Sequence, residues 1–241
     1  MRRPRAAAPH PAAGPSGARG RPFLWDDVIK VGGSLGRGPA LGAILRGLAR
    51  LARTRRILLI PGGGRFADLV RAERKRLGLD EASAHSMALR AMDQYGLLLT
   101  ALCPRARATG DFSEAGRIAA AGGVPVLLAS FPIERQRGLE RSFRLTSDSI
   151  AAVVARRIGA KRLVLLKRCP CPEDEPASRM ALLRLARRGV VDPLFPFLAP
   201  RRAEIRILDV RSPRAWALLE AGRPGGETRR RARRGAPPGN R

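Results

Sequence analysis

Aromatic side chains make up only 4% of the 241 residues, with one Tyr and two Trp. Platforms on which nucleobases could stack are therefore scarce. No stretch approaches the roughly 20 uninterrupted apolar residues of a membrane-crossing helix, which excludes a helical membrane span. Cysteine is sparse and odd in number: Cys103, Cys169 and Cys171. That usage fits a reducing, cytoplasmic setting rather than a disulfide framework. Cys169-Pro170-Cys171 alone falls short of the about four ligands of a structural zinc site, so it reads as two loop thiols, and no metal site built from side chains is expected. Lysine is nearly absent, with four (Lys30, Lys75, Lys161, Lys167) among 47 basic residues, and acids number only 20.

The excess of arginine is what fills the gap, and with abundant Ala, Gly and Pro it most simply reflects a coding bias. The formal net charge is +27. Residues 1–22 hold +5 and residues 222–241 hold +6, which leaves +16 on residues 23–221. Both ends are rich in Ala, Pro, Gly and Arg and read as disordered basic extensions. The N-terminal one lacks the 7–15-residue apolar core of a signal peptide. A basic surface attracts anions, from nucleotides to phosphorylated metabolites. With so few aromatics, nucleic acid is not an expected partner, and neither is a membrane.

Between the tails, short apolar runs alternate with helical patterns. Strands are expected at 28–31, 57–60, 124–128, 163–166 and 205–208. Helices are expected at 40–53, 65–77, 81–102, 113–121, 147–158, 178–188 and 212–220. Fully apolar runs of four or five residues separated by amphipathic helices indicate an α/β three-layer sandwich, a mostly parallel sheet covered on both faces. Residues 23–221 read as one such domain, with no internal repeat.

Two loops carry chemistry. Lys30-Val31-Gly32-Gly33-Ser34 ends the first strand, and Pro61-Gly62-Gly63-Gly64 ends the second. Parallel sheets bind ligands at the carboxyl ends of their strands. Glycines there let backbone N–H groups approach phosphate oxygens, and a helix starting near Arg65 aims its positive end at the same place. A lysine at the end of a core strand is expensive unless its ammonium finds an anion, so Lys30 is a candidate to meet a phosphate over the first loop. Neither loop is a Walker loop or a G-x-G-x-x-G fingerprint. Thr146 or Ser147 would cap the helix that follows, with Asp148 in its first turn favouring the helix dipole. Lys167 stands at the carboxyl end of another strand, where a nucleotide phosphate or ribose could lie.

In order, the K-x-G-G-S strand end, the P-G-G-G loop, Asp148-Ser149-Ile150-Ala151-Ala152 and the strand ending at Lys167 resemble the amino-acid kinase superfamily, over about residues 27–221. Ala84-His85-Ser86-Met87-Ala88, Ala91-Met92-Asp93-Gln94-Tyr95-Gly96 and Gly189-Val190-Val191-Asp192 resemble its subgroup that acts on an aminomethylfuran phosphate. The resemblance implies phosphoryl transfer from Mg-ATP to (5-(aminomethyl)furan-3-yl)methyl phosphate, giving a diphosphate in methanofuran or methylofuran synthesis. It implies Lys30 and Asp148 as catalytic residues. Gly32, Gly33, Ser34, Gly62, Gly63, Gly64 and Lys167 would bind phosphate and nucleotide. His85, Asp93, Gln94 and Ser147 would touch the acceptor, with Asp93 available to pair with the aminomethyl ammonium. His85 reads more readily as a structural histidine, and Met87, Met92 and Leu98 as core or a dimer seam. Relatives are commonly homo-oligomers. A second late lysine found in several members is missing, so Arg201, Arg202 or Lys167 would serve. Other members act on nucleoside monophosphates or acylamino acids, and some bind nucleotides or oxyanions without catalysis.

Overall fold

The computed structural model describes residues 25–136, 138–169 and 177–221. The two tails and Cys171 lie outside them. Six strands form one sheet: β1 Asp27–Val31, β2 Ile57–Pro61, β3 Ala106–Thr109, β4 Val124–Leu127, β5 Arg162–Lys167 and β6 Glu204–Asp209. Their order across the sheet is β3-β4-β2-β1-β5-β6, and every pair is parallel. Helices α1 Leu41–Leu51, α2 Gly64–Leu77, α3 Glu81–Leu102, α4 Phe112–Ala120, α5 Ser130–Glu134, α6 Ser147–Ile158, α7 Arg179–Arg187, α8 Phe195–Leu198 and α9 Pro213–Ala221 cover both faces. The α/β sandwich expected from the sequence is the one observed.

The alternation of side chains along each strand divides the core. Val28, Leu58, Ile60, Leu163 and Leu165 face α4, α6, α7 and α8. Ile29, Val31, Leu59, Val164 and Leu166 face α1, α9 and part of α3. Burying each Leu or Ile contributes about 1.5–3 kcal/mol, which is why short apolar strands suffice here. Helix ends follow local chemistry. Asp80 accepts from the Ser83 N–H at 2.8 Å to start α3, and Gly78 and Gly159 take positive φ to end α2 and α6. Of the methionines in the α3 pattern, Met92 is core, whereas Met87 and Leu98 are exposed.

Three elements gave no sequence signal. β3 is an edge strand reading Ala-Arg-Ala-Thr with only Thr109 buried, and it exists because β4 offers a register to pair with. The helices α5 and α8 span five and four residues, too short for periodicity to show.

Strand order reverses about β1, whose neighbours β2 and β5 lead to opposite edges of the sheet. A crevice opens at the carboxyl ends of strands at such a point. Lys30 pairs in register with Leu165, so Lys30 and Lys167 project from the same face of the sheet, the face covered by α6.

Candidate active site

The glycine loops form the seat of the crevice. The Gly62 N–H donates to the Val31 carbonyl at 2.9 Å, and the Gly32 N–H to the Leu166 carbonyl at 3.0 Å. A Cβ built on Gly33 would lie 2.3 Å from the Gly64 backbone nitrogen, and one on Gly62 would lie 2.5 Å from the Gly33 nitrogen. The loops therefore rest backbone against backbone, a constraint beyond ligand approach. The buried Tyr95 ring supports them from below, its hydroxyl donating to the Gly32 carbonyl at 3.4 Å, and burial pushes that phenol up to about 12. Gly33→Ala must separate the loops. An overpacking loss of about 1–3 kcal/mol is expected in denaturant unfolding. A variant with wild-type stability would refute the seat.

Above the seat runs a line of charge. Lys30 Nζ lies 2.9 Å from Asp148 Oδ1, and Lys167 Nζ donates to Asp148 Oδ2 at 2.6 Å and to the Val190 carbonyl at 2.5 Å. Asp148 is 4% exposed and Lys30 6%. Burial opposes the charged form of Asp148, but the two ammonium groups beside it hold its carboxyl below the ordinary aspartate value. Burial also pushes Lys30 below the ordinary lysine value, with Asp148 working against that shift. Two cations on one anion leave a net positive charge where β1, β5 and α6 meet.

This line lies in a cavity of about 520 Å³ whose lining falls, by element, into two halves: the starts of α2 and α6, and the segments that follow β5 and α7. Gly63, Gly64, Asp68, Arg71, Thr146 and Ser147 line one; Arg168, Cys169, Arg188, Gly189 and Val190 line the other. Gly32, Gly33 and Ser34 lie between them, and the opening of α2 leaves N–H groups without helical partners. Asp68 bridges Arg37 and Arg71. Both carboxylates in the cavity are thus held by cations. Among the described residues no three His, Cys, Asp or Glu side chains converge as metal ligands.

A small apolar annex of about 50 Å³ continues from the first half, sharing Gly63, Arg71, Thr146 and Ser147 with it. His85, Leu89, Met92, Phe143, Leu145 and Ile150 form its wall. Phe143 is set by its N–H on Glu81 Oε2 at 2.8 Å and by the Arg74 guanidinium 5.1 Å from its ring centre. Burial lowers the His85 pKa, opposed by contact with the Ser142 backbone.

The structure thus brings Lys30, Asp148, Lys167, Ser34, Ser147 and the glycines of both loops together, with Gly62 beneath the seat and His85 in the annex wall. It does not bring Asp93 and Gln94 there. Asp93 accepts from Ser130 N–H at 3.1 Å and from Ser130 Oγ, holding the start of α5, and Gln94 is exposed on α3; neither lines the cavity or the annex. Arg201 and Arg202 line a separate cavity with Arg156 and Lys161 at the opposite, amino-terminal end of β5 and β6, so they cannot stand in for a late lysine in the crevice. Arg188 is the late cation that does line it. Sequence reading also missed Asp68 and Arg71, whose spacing from Gly64 (i+4, i+7) puts them on one face of α2.

Comparisons with known proteins bear on the family and the fold. A family model described as the amino acid kinase family matches residues 28–170. The (5-(aminomethyl)furan-3-yl)methyl phosphate kinase of Methanocaldococcus jannaschii is 26% identical over 140 residues, which span 57% of this chain and 63% of that relative, less than two thirds of its length. The crystal structure of uridylate kinase from Archaeoglobus fulgidus superposes with a TM-score of 0.58 at 20% identity, covering 76% of this chain and 90% of that one. UMP kinase from Ureaplasma parvum superposes with a TM-score of 0.61 at 14% identity, covering 83% and 96%. At such identities the two structures show a shared fold.

Proposed function

The chain belongs to the amino acid kinase family, and from that premise we propose that it transfers the γ-phosphoryl group of Mg-ATP to a phosphate oxygen of a compact acceptor, an aminomethylfuran phosphate that becomes a diphosphate. The observation that carries this reading is the trio of Lys30, Asp148 and Lys167 standing between two halves of one basic cavity. The half containing Arg168 and Arg188 suits the donor triphosphate. The half at the start of α2, with Arg71, suits the acceptor phosphate, and the annex beside it has room for a small ring rather than a nucleoside.

An acceptor phosphate is already an oxyanion, so its attack needs no strong base. The transferring group spreads charge over its equatorial oxygens, and stabilising that charge is the main task. Lys30 meets it from the strand end, Lys167 meets the donor side, and backbone N–H groups of the glycine seat complete the cradle. Asp148 holds both ammonium groups in place. Mg²⁺ would travel on the triphosphate, because Asp148 and Asp68 are both engaged by cations and Mg²⁺ commonly binds through substrate phosphates. Asp93 is held by Ser130, so the ammonium of an aminomethyl group would need another partner.

The test is ADP release from Mg-ATP with the aminomethylfuran phosphate, UMP and acetylglutamate as acceptors. The expected kcat/KM is highest for the furan phosphate. Preference for UMP would move the acceptor assignment to nucleotides, and ATP binding without turnover on any acceptor would favour a non-catalytic binding protein.

A further inference from the structure

The carboxylate of Asp192 is not part of the cavity, yet it ties together the two segments that hold Lys167. It is 8% exposed and accepts five hydrogen bonds. Three come from the first turn of α6: Thr146 Oγ1 at 2.7 Å, Ser149 N–H at 3.0 Å and Ser149 Oγ at 2.5 Å. Two come from the chain that opens α8: Leu194 N–H at 3.0 Å and Phe195 N–H at 2.9 Å. Thr146 occupies the cap position of α6 but bonds no helix N–H with its own side chain. A carboxylate from a distant element does that work instead, meeting one of the helix-start donors that have no partner within the helix.

The consequence is a closed circuit. Asp148 sits in the turn of α6 that Asp192 grips. Val190 lies two residues before Asp192, and its carbonyl takes the second bond from Lys167. Lys167 thus bridges Asp148 and Val190, and Asp192 fastens the segments bearing them to each other. We propose that Asp192 is a positioning residue, fixing the spacing of Lys30, Asp148 and Lys167 by clamping segment 188–191, which also carries Arg188, onto the first turn of α6. The proposal rests on reading this trio as the phosphoryl-transfer site.

Lys30 faces Asp148 from α6, Lys167 from β5 and Asp192 from the clamped segment, with Arg168, Arg188 and the Asp68-bound Arg37 and Arg71 around the same cavity. Asp192 is thus one of two carboxylates that favour the charged form of Lys30. Asp192→Asn keeps the size of the side chain, removes that charge and turns a donor toward Ser149 N–H.

With only four lysines in the chain, lysine labelled with ¹³C at Cε gives four signals to follow by NMR. In Asp192→Asn the Lys30 titration is expected at lower pH than in the wild type, and the Lys167 signal displaced. Displacements of a reacting group by about 1 Å can lower rate about 10²-fold, and a fall in kcat of that order per folded molecule is expected. Ser149→Ala removes the 2.5 Å bond and leaves the charge; it serves as the milder variant should the first fail to fold. It should displace Lys167 and leave the Lys30 titration in place. Lysine signals and kcat like those of the wild type in a folded Asp192→Asn would overturn the proposal, and so would a loss of activity that only tracks the folded fraction. Altered lysine signals in a protein whose wild type turns over no acceptor would support the clamp and refute the kinase reading alone.

Discussion

Asp148→Asn is expected to lower kcat by about 10²–10³-fold, the scale on which enzymes lose rate when one preorganised electrostatic contact is removed. The wild-type carboxylate stands between two ammonium groups, at 2.9 Å from Lys30 and 2.6 Å from Lys167. Asparagine leaves two cations side by side with no anion. Lys30, already pushed below 10.5 by burial, loses its strongest counterweight, and Lys167 repels it further. The basic limb of the rate profile should therefore move to lower pH in the variant. Stability should respond with the opposite dependence on pH. The folded Asp148 pKa lies below the unfolded value near 3.8, so its contribution is present above that value and is lost as pH falls through the folded pKa. The stability gap between wild type and variant is thus expected to be wide at neutral pH and to narrow in acid. A variant with wild-type kcat and an unmoved basic limb would remove Asp148 from the account.

The second large effect lies at the other end of the sheet. Asp27 is fully buried, with Arg55 Nε at 2.9 Å and Arg162 Nε at 2.6 Å. The two guanidinium groups also donate to one carbonyl near the end of α9, that of Leu219, Arg162 at 2.9 Å and Arg55 at 3.3 Å. The cluster joins β1, β5 and the segment before β2 to the end of α9. Removing one partner of a buried ion pair costs about 3–5 kcal/mol, because the charge left behind has neither water nor a counter-ion. For a chain of this size about 1 kcal/mol moves the midpoint by 2–4 °C, so Asp27→Ala should melt roughly 6–20 °C below the wild type. Turnover measured well below that midpoint should stay within about twofold, since Asp27 begins β1 and the crevice lies past its end. A shift under about 2 °C by calorimetry would show that the cluster contributes little.

Much of this was legible in the residues. Helix 147–158 appears with the boundaries its pattern predicts, since Thr146 precedes an apolar stripe and Gly159 ends it in a left-handed conformation. The apolar strands were visible because both faces of the sheet are covered. Lys30 was readable because a lysine at a core strand end needs an anion; Asp148 was marked by the family resemblance, since the helix dipole alone accounts for an acid in a first turn. What was not readable depends on tertiary placement. Asp93 lies eight residues beyond the annex residue His85 along α3, yet it turns toward Ser130, which no local pattern reveals. Arg188 reaches the cavity while Arg201 and Arg202 do not, because α7 ends at the carboxyl edge of the sheet and the segment before β6 starts at the other. The mutual contact of the glycine loops depends on β1 and β2 being neighbours in register.

The most direct test of the central claim is a ³¹P NMR spectrum of the aminomethylfuran phosphate incubated with Mg-ATP and the enzyme, beside the same reaction with Lys30→Ala. The acceptor's single resonance is expected to give way to the coupled pair of a diphosphate as ADP accumulates, and Lys30→Ala to slow this about 10²–10³-fold. An unchanged acceptor resonance with the wild-type enzyme, or equal rates for the two proteins, would contradict that claim.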